Sequence, residues 1–213
     1  MALWRRQTRR LTSYGYQPPP EATVRGWRCA SRDCAAPVRR WPRRCRRCGG
    51  PVDPVFDEPW AHKALGAELS WLAMVAPGRE AAVARDRLVA WRVRDAVVRR
   101  DYPAATEARR VMRNYADRRR AEDSRWSPGP MLGFAVSGAL GRGDLDGAAG
   151  DLCFWLEMSG EDTAGGSCAF GNTTSVMNAA VGFLSAPGGA AHPLAAEIRR
   201  GCLRVAGGCL RAG

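Results

Sequence analysis

Histidine and lysine are almost missing from this sequence. Its 213 residues include two histidines, His62 and His192, and one lysine, Lys63. Two histidines exclude histidine-rich metal chemistry, and no Ser/His/Asp order or HExxH pattern is present. The glycines at 138, 141 and 143 have neither a preceding strand pattern nor a P-loop lysine, so they do not read as a nucleotide cradle. Long apolar runs are missing too, and none approaches the 18 or so residues of a membrane-crossing helix. The basic start lacks the apolar stretch of a secretory signal, because Thr12, Ser13, Tyr14 and Gly15 follow the Arg9-Arg10 pair. A reducing cytoplasm is the expected compartment.

Arginine is what the chain has in plenty. The formal net charge is +12, unevenly spread. Residues 1–60 carry 13 basic and 5 acidic side chains, residues 61–125 carry 15 and 9, and residues 126–213 carry 5 and 7. A polyanion would therefore meet the N-terminal and central parts first. The competing reading is a GC-rich genome's preference for Arg, Ala and Gly.

Cysteine is equally uneven. Cys29, Cys34, Cys45 and Cys48 fall within 20 residues, and Cys153, Cys168, Cys202 and Cys209 are scattered. The cluster reads Gly26-Trp27-Arg28-Cys29-x4-Cys34-x10-Cys45-x2-Cys48-Gly49-Gly50. Two close pairs brought side by side complete a tetrahedral shell of four sulfurs, which suits Zn2+. Gly49 and Gly50 permit a tight turn that aims amide N–H groups at the Cys45 and Cys48 sulfurs. Four cysteines leave no open coordination position, so one structural zinc is expected rather than a catalytic one. A redox Cys45-x2-Cys48 pair fits less well, since a dithiol of that kind opens a helix and Gly-Gly predicts a turn. A module of about 30 residues also buries too little surface to fold without a metal.

The segment Cys45-Arg46-Arg47-Cys48-Gly49-Gly50 resembles the knuckle of zinc-ribbon proteins, and Cys29-x4-Cys34 resembles a looser first knuckle. The resemblance spans about 25 residues and extends to rubredoxin-like four-cysteine modules. It implies Cys29, Cys34, Cys45 and Cys48 as ligands, flanked by short β-hairpins. The arginine-rich connection leaves little strand length, which departs from a full ribbon. The whole chain looks like a zinc-ribbon protein of high-GC actinobacteria.

Four thiolates on Zn2+ carry a formal charge of −2, and the arginines around them more than offset it. Arg28, Arg39, Arg40, Arg43, Arg44, Arg46 and Arg47, with Trp41, are the candidate nucleic-acid contacts. The competing reading has Trp27 and Trp41 covering the zinc core or docking it on the helical body.

The rest reads as helical. Residues 1–25 are expected to be a flexible basic tail, 26–56 the four-cysteine zinc ribbon, 57–126 a basic helical segment and 127–213 a C-terminal helical segment forming one domain with 57–126. Six or seven helices are expected. One follows Asp57 as N-cap, with Pro59 in its first turn, and stops at Pro77-Gly78. Others are expected near 80–100, 104–125, 131–140 and 145–158, one is capped by Asn172 or Thr173, and one opens at Pro193. Leu194, Ile198, Cys202, Val205 and Cys209 form a buried stripe on the last. The fold class is thus mainly α, a small four-cysteine zinc ribbon followed by a helical bundle or stacked helical hairpins. Arg100-Asp101-Tyr102-Pro103-Ala104-Ala105 and Gly143-Asp144-Leu145-Asp146-Gly147-Ala148 are alike. The second resembles the inter-helix turn of tetratricopeptide repeats, although the 43-residue separation departs from their 34-residue period.

Single residues read blandly. His62 is expected on the surface or as a cap, and His192 at a helix start. Trp126 and Trp155 are expected to pack, and Cys168, in a Gly-rich loop, is the candidate free thiol. The 144–162 stretch is acidic, and Asp144, Asp146 and Asp151 within it suit a helix N-terminal half. The expected function is a non-catalytic zinc protein that associates with DNA or RNA through the basic ribbon. A protein-interaction adaptor using the helical domain is second, and an enzyme of unknown class is third.

Overall fold

The computed structural model describes residues 12–31, 33, 34, 36–38, 44–164 and 170–212. Contacts divide the chain into two units, residues 1–85 and 86–213. Arg39, Arg40, Trp41, Arg43 and Cys168 lie outside the described residues.

The first unit holds a three-stranded antiparallel sheet: β1 (Val24–Cys29), β2 (Pro37–Val38) and β3 (Val52–Phe56), in the order β2-β1-β3. Trp27 pairs with Val38 on one side and with Pro54 on the other. β3 is an edge strand, so Pro54, which has no N–H to donate, is tolerated there. β2 is two residues long among the described residues. Helix α1 (Trp60–Val75) follows. Val24, Phe56 and Ala64 are buried together with Tyr14 and Ala22, and Trp27 and Trp60 pack at the margin.

Three expectations for this unit are corrected. The stretch read as a tail is docked from Thr12 onward. Thr12 to Tyr16 form a turn, and Asp53 on β3 accepts from the Ser13 N–H at 2.8 Å and the Ser13 hydroxyl at 2.6 Å. Burying Tyr14 against this sheet stabilises the arm, which composition alone did not reveal. Asp57 does not cap α1. Its carbonyl accepts from the Ala61 N–H at 2.8 Å, and Pro59 takes the capping position without a side-chain bond. His62 is buried rather than superficial, because it shares a face with Leu69 and Leu72.

Six further helices occur among the described residues: α2 (Gly78–Val98), α3 (Tyr102–Glu122), α4 (Gly129–Leu140), α5 (Leu145–Ala164), α6 (Phe170–Ser185) and α7 (Ala195–Ala212). The unit boundary falls inside α2. The core of the second unit gathers Val93, Met112, Leu132, Val136, Trp155 and Phe183. The chain is mainly α with a small N-terminal sheet module, as expected.

The α2–α3 and α4–α5 turns have the same construction. Arg100 (φ 57°) and Gly143 (φ 71°) both adopt the left-handed conformation. The Asp101 N–H donates to the Ala96 carbonyl at 2.9 Å and the Asp144 N–H to the Ala139 carbonyl at 3.0 Å. Each aspartate then caps the next helix, accepting from Ala104 and Gly147 N–H at 3.1 Å. These are Schellman closures followed by an Asp N-cap, which satisfy the free groups at both helix ends. At the same 43-residue offset, buried Val93, Ala96, Ala105 and Met112 match buried Val136, Ala139, Ala148 and Trp155.

Asn172 does not cap α6, which begins two residues earlier. It accepts from the Trp155 indole N–H at 2.9 Å and donates to Ser159 Oγ at 3.1 Å. Trp126 likewise has a polar partner, donating its indole N–H to Asp86 at 3.0 Å. His192, at the expected helix start, accepts the Leu194 N–H on Nδ1 at 3.1 Å and meets Asp146 through Nε2 at 3.0 Å. Ile198 and Val205 of the α7 stripe are fully buried. Cys209 is half-buried and disulfide-bonded rather than a packing thiol.

Candidate metal centre

The sheet register brings the sulfurs together. Cys29 ends β1 opposite Val52, which opens β3, so the Cys45–Gly50 turn lies against the end of β1. Ala30 N–H donates to the Pro51 carbonyl at 2.9 Å, and Cys29 N–H to the Ala36 carbonyl at 3.0 Å. The second knuckle closes on itself through Gly49 N–H to the Cys45 carbonyl and Cys45 N–H to the Gly50 carbonyl, both at 2.8 Å. Gly49 has φ 73°, which glycine adopts without strain. Gly50 is small for a different reason. A Cβ there would lie 3.3 Å from Cys48 Sγ and 3.5 Å from Cys29 Sγ.

All four sulfurs lie within 4.8 Å of one another. Cys29 and Cys48 are 3.3 Å apart, and Cys34 and Cys45 are 3.8 Å apart. These distances are far beyond a disulfide bond of about 2.05 Å. They match a tetrahedral shell, in which metal–sulfur bonds of about 2.3 Å put sulfurs about 3.8 Å from each other. The four cysteines can hold one metal ion.

Their environments differ. Cys29 and Cys45 are buried, Cys34 is half-buried and Cys48 is exposed. The Arg47 and Cys48 backbone N–H groups point at the Cys45 sulfur and lower its pKa to about 7. That favours the thiolate a metal requires. Burial, then the neighbouring Cys48 thiol, push Cys29 up to about 12. A cation there would reverse this preference, since it deprotonates a coordinating thiol outright.

No family model matches this chain, and neither does any curated protein or solved structure.

Of the candidate contact residues, Arg28, Arg44, Arg46 and Arg47 are described, and all are exposed. Arg28 donates to Glu68 at 2.6 Å. Arg44, Arg46 and Arg47 have no acidic partner among the described residues. The arginines of α3 are arranged differently. Arg109 and Arg113 bond to Asp151, Arg109 also bonds to Asp144, and Arg120 bonds to Glu161 and Asp162. The acidic stretch 144–162 therefore neutralises much of the positive charge on α3. Sequence reasoning missed this pairing, whose only trace was the matching of an acid-rich with an arginine-rich helix.

Other buried polar side chains hold structure. Asp86 accepts from the Tyr115 hydroxyl at 2.8 Å as well as from Trp126. Among the described residues, no helix is long and apolar enough to cross a membrane.

Proposed function

We propose that Cys29, Cys34, Cys45 and Cys48 bind one structural Zn2+ and that the resulting ribbon associates with nucleic acid through its arginines. Convergence of the four sulfurs carries the metal assignment. A closed four-thiolate shell suits zinc and leaves no position for substrate, which favours a non-catalytic role. When bound, the ion supplies folding energy to a small sheet. The cysteines hold it, and Gly50 leaves room for their sulfurs.

The polyanion reading rests on the contrast between arginines. Arg109, Arg110, Arg113, Arg119 and Arg120 on α3 spend donors on carboxylates, whereas Arg44, Arg46 and Arg47 have no acidic partner among the described residues. Phosphate contacts from such side chains give affinity without base specificity. Arg39, Arg40, Trp41 and Arg43 belong to the same proposed surface by sequence alone. A reducing cytoplasm is the compartment that four metal-binding thiolates favour, and the disulfide at Cys209 argues against it. Thiol trapping on freshly lysed cells decides between the two.

The test is fluorescence anisotropy with labelled duplex DNA, single-stranded DNA and RNA across a salt series. The expected result is binding whose logarithm falls linearly with log salt. Replacing Arg44, Arg46 and Arg47 by Ala should reduce the slope by about 0.7–0.9 per arginine lost. Absent or salt-insensitive binding refutes the nucleic-acid role. A protein-interaction role for the helical unit is the second reading, favoured by the outward-facing Leu203 and Leu210 of α7.

A further inference from the structure

We propose that hydrogen peroxide opens the metal centre by joining Cys48 to Cys29 in a reversible disulfide. The inference rests on the metal reading above and adds a regulation of that same site. The four sulfur positions are not equivalent. Cys29 and Cys45 are only 3% and 4% exposed, Cys34 is half-buried, and Cys48 is exposed. Cys48 sits in the Cys45–Gly50 turn between exposed Arg47 and exposed Gly49. A small oxidant arriving from solvent therefore meets Cys48 first.

Cys48 also has a resolving partner. Cys29 Sγ lies 3.3 Å from its sulfur, closer than the 3.8 Å between Cys34 and Cys45. A disulfide of about 2.05 Å needs the Cys29 and Cys48 sulfurs to close by only about 1.3 Å. Gly50 puts no side chain beside that pair, where a Cβ would lie within 3.5 Å of both sulfurs. Oxidation selects accessible thiolates with a second thiol at hand. Cys48 meets both conditions, because a thiol that coordinates a metal is already deprotonated. Cys153 and Cys202 are free but half-buried, and burial pushes both thiols up, so they stay protonated and react slowly.

The chemistry balances in two steps. The Cys48 thiolate attacks one peroxide oxygen, the O–O bond breaks, hydroxide leaves, and Cys48 becomes a sulfenic acid. The Cys29 thiolate then attacks the Cys48 sulfur, forming the S–S bond and expelling a second hydroxide. Two protons from solvent turn both hydroxides into water. The two thiolates together lose two electrons, and one peroxide is reduced. Cys34 and Cys45 then remain as the only thiolate donors, too few to retain the ion. A dithiol reductant reverses the bond and restores the four-sulfur shell.

The test uses the full-length, zinc-loaded protein, with its zinc content measured before peroxide is added. Released zinc is followed with a chromogenic chelator while peroxide is titrated. Remaining thiols are alkylated and mapped by mass spectrometry after trypsin, which separates the four cysteines because an arginine lies between each neighbouring pair. The expected result is one zinc released per peroxide consumed, in step with a Cys29–Cys48 linked peptide, and recovery with dithiothreitol and zinc. Cys48→His keeps a metal donor but removes the entry sulfur, and it should slow release at least about tenfold, whereas Cys34→His should release as the wild type does. Zinc retained under excess peroxide overturns the proposal. So does a first disulfide between Cys34 and Cys45, or earlier oxidation of Cys153 or Cys202. A preparation without stoichiometric zinc at the outset overturns the metal reading as well, so the two failures are distinguishable.

Discussion

Arg109 on α3 donates its Nε–H to Asp151 on α5 at 3.1 Å, and Asp151 is wholly shielded from solvent. The guanidinium also bonds to Asp144, so one arginine joins the interior of α5 to its cap. Burial raises the Asp151 pKa, opposed by the charges and hydrogen bonds of Arg109 and Arg113. The carboxylate is thus held in a dry site by the cations that face it. Removing one partner strands the others. Asp151→Ala should lower the unfolding free energy by about 3–5 kcal/mol, with Asp151→Asn costing less because it keeps the shape and an acceptor. Urea denaturation followed at 222 nm measures both.

Arg100 occupies a left-handed position that Gly143 fills in the equivalent turn. A side chain there costs about 1 kcal/mol, which glycine avoids. Arg100→Gly is expected to raise stability by about 0.5–1 kcal/mol, and Gly143→Ala to lower it by a similar amount. Thermal melts of the two variants should move in opposite directions. Shifts of the same sign would contradict the equivalence of the turns.

Tyr14 has its pKa raised to about 12, chiefly by burial and then by the charges of Glu68 and Asp53. The folded value lies above the unfolded one near 10. The neutral hydroxyl's contribution is therefore complete below pH 10 and is lost as pH rises toward 12. Two pH units would correspond to about 3 kcal/mol, and partial solvent screening reduces this to roughly 1–2 kcal/mol. Tyr14→Phe should flatten that alkaline loss in unfolding titrations between pH 9 and 12. An unchanged slope would show the ring to be solvated.

Metal analysis should find one zinc per chain. Strong chelation should unfold the sheet module, seen as loss of Trp27 near-ultraviolet ellipticity, while most helical signal persists. Acid should release the metal, because protons compete for the thiolates. Cys45→Ser should lose zinc at a higher pH than wild type. Gly50→Ala should weaken retention without removing a ligand, as its methyl would sit against two sulfurs. A wild-type protein without stoichiometric metal would remove the ground for the ribbon assignment.

The four-cysteine pattern was legible because ligand type and short spacing carry their own chemistry, and Cys45-x2-Cys48-Gly-Gly closes its knuckle within six residues. The helices were legible because apolar spacing, Pro-Gly breaks and Asp caps act over one or two turns. Even the likeness of the 100–105 and 143–148 turns was visible in sequence, since each is a local closure. Asp57 was misread because Pro59 moved the helix start past it. Asn172 was misread because a buried indole, Trp155, claims its side chain.

The amino-acid sequence by itself determined the local elements: where helices run, where they break, and which four cysteines are spaced for one metal. Tertiary structure alone decided who meets whom across the chain. Ser13 finds Asp53 at a separation of 40 residues, and Arg120 finds Asp162 at 42. Such partners are chosen by how strands pair and helices pack, and that arrangement leaves no periodicity in the sequence. The charge of α3 illustrates the difference, since composition counts its arginines as surplus and the fold places Asp151 and Asp162 against them.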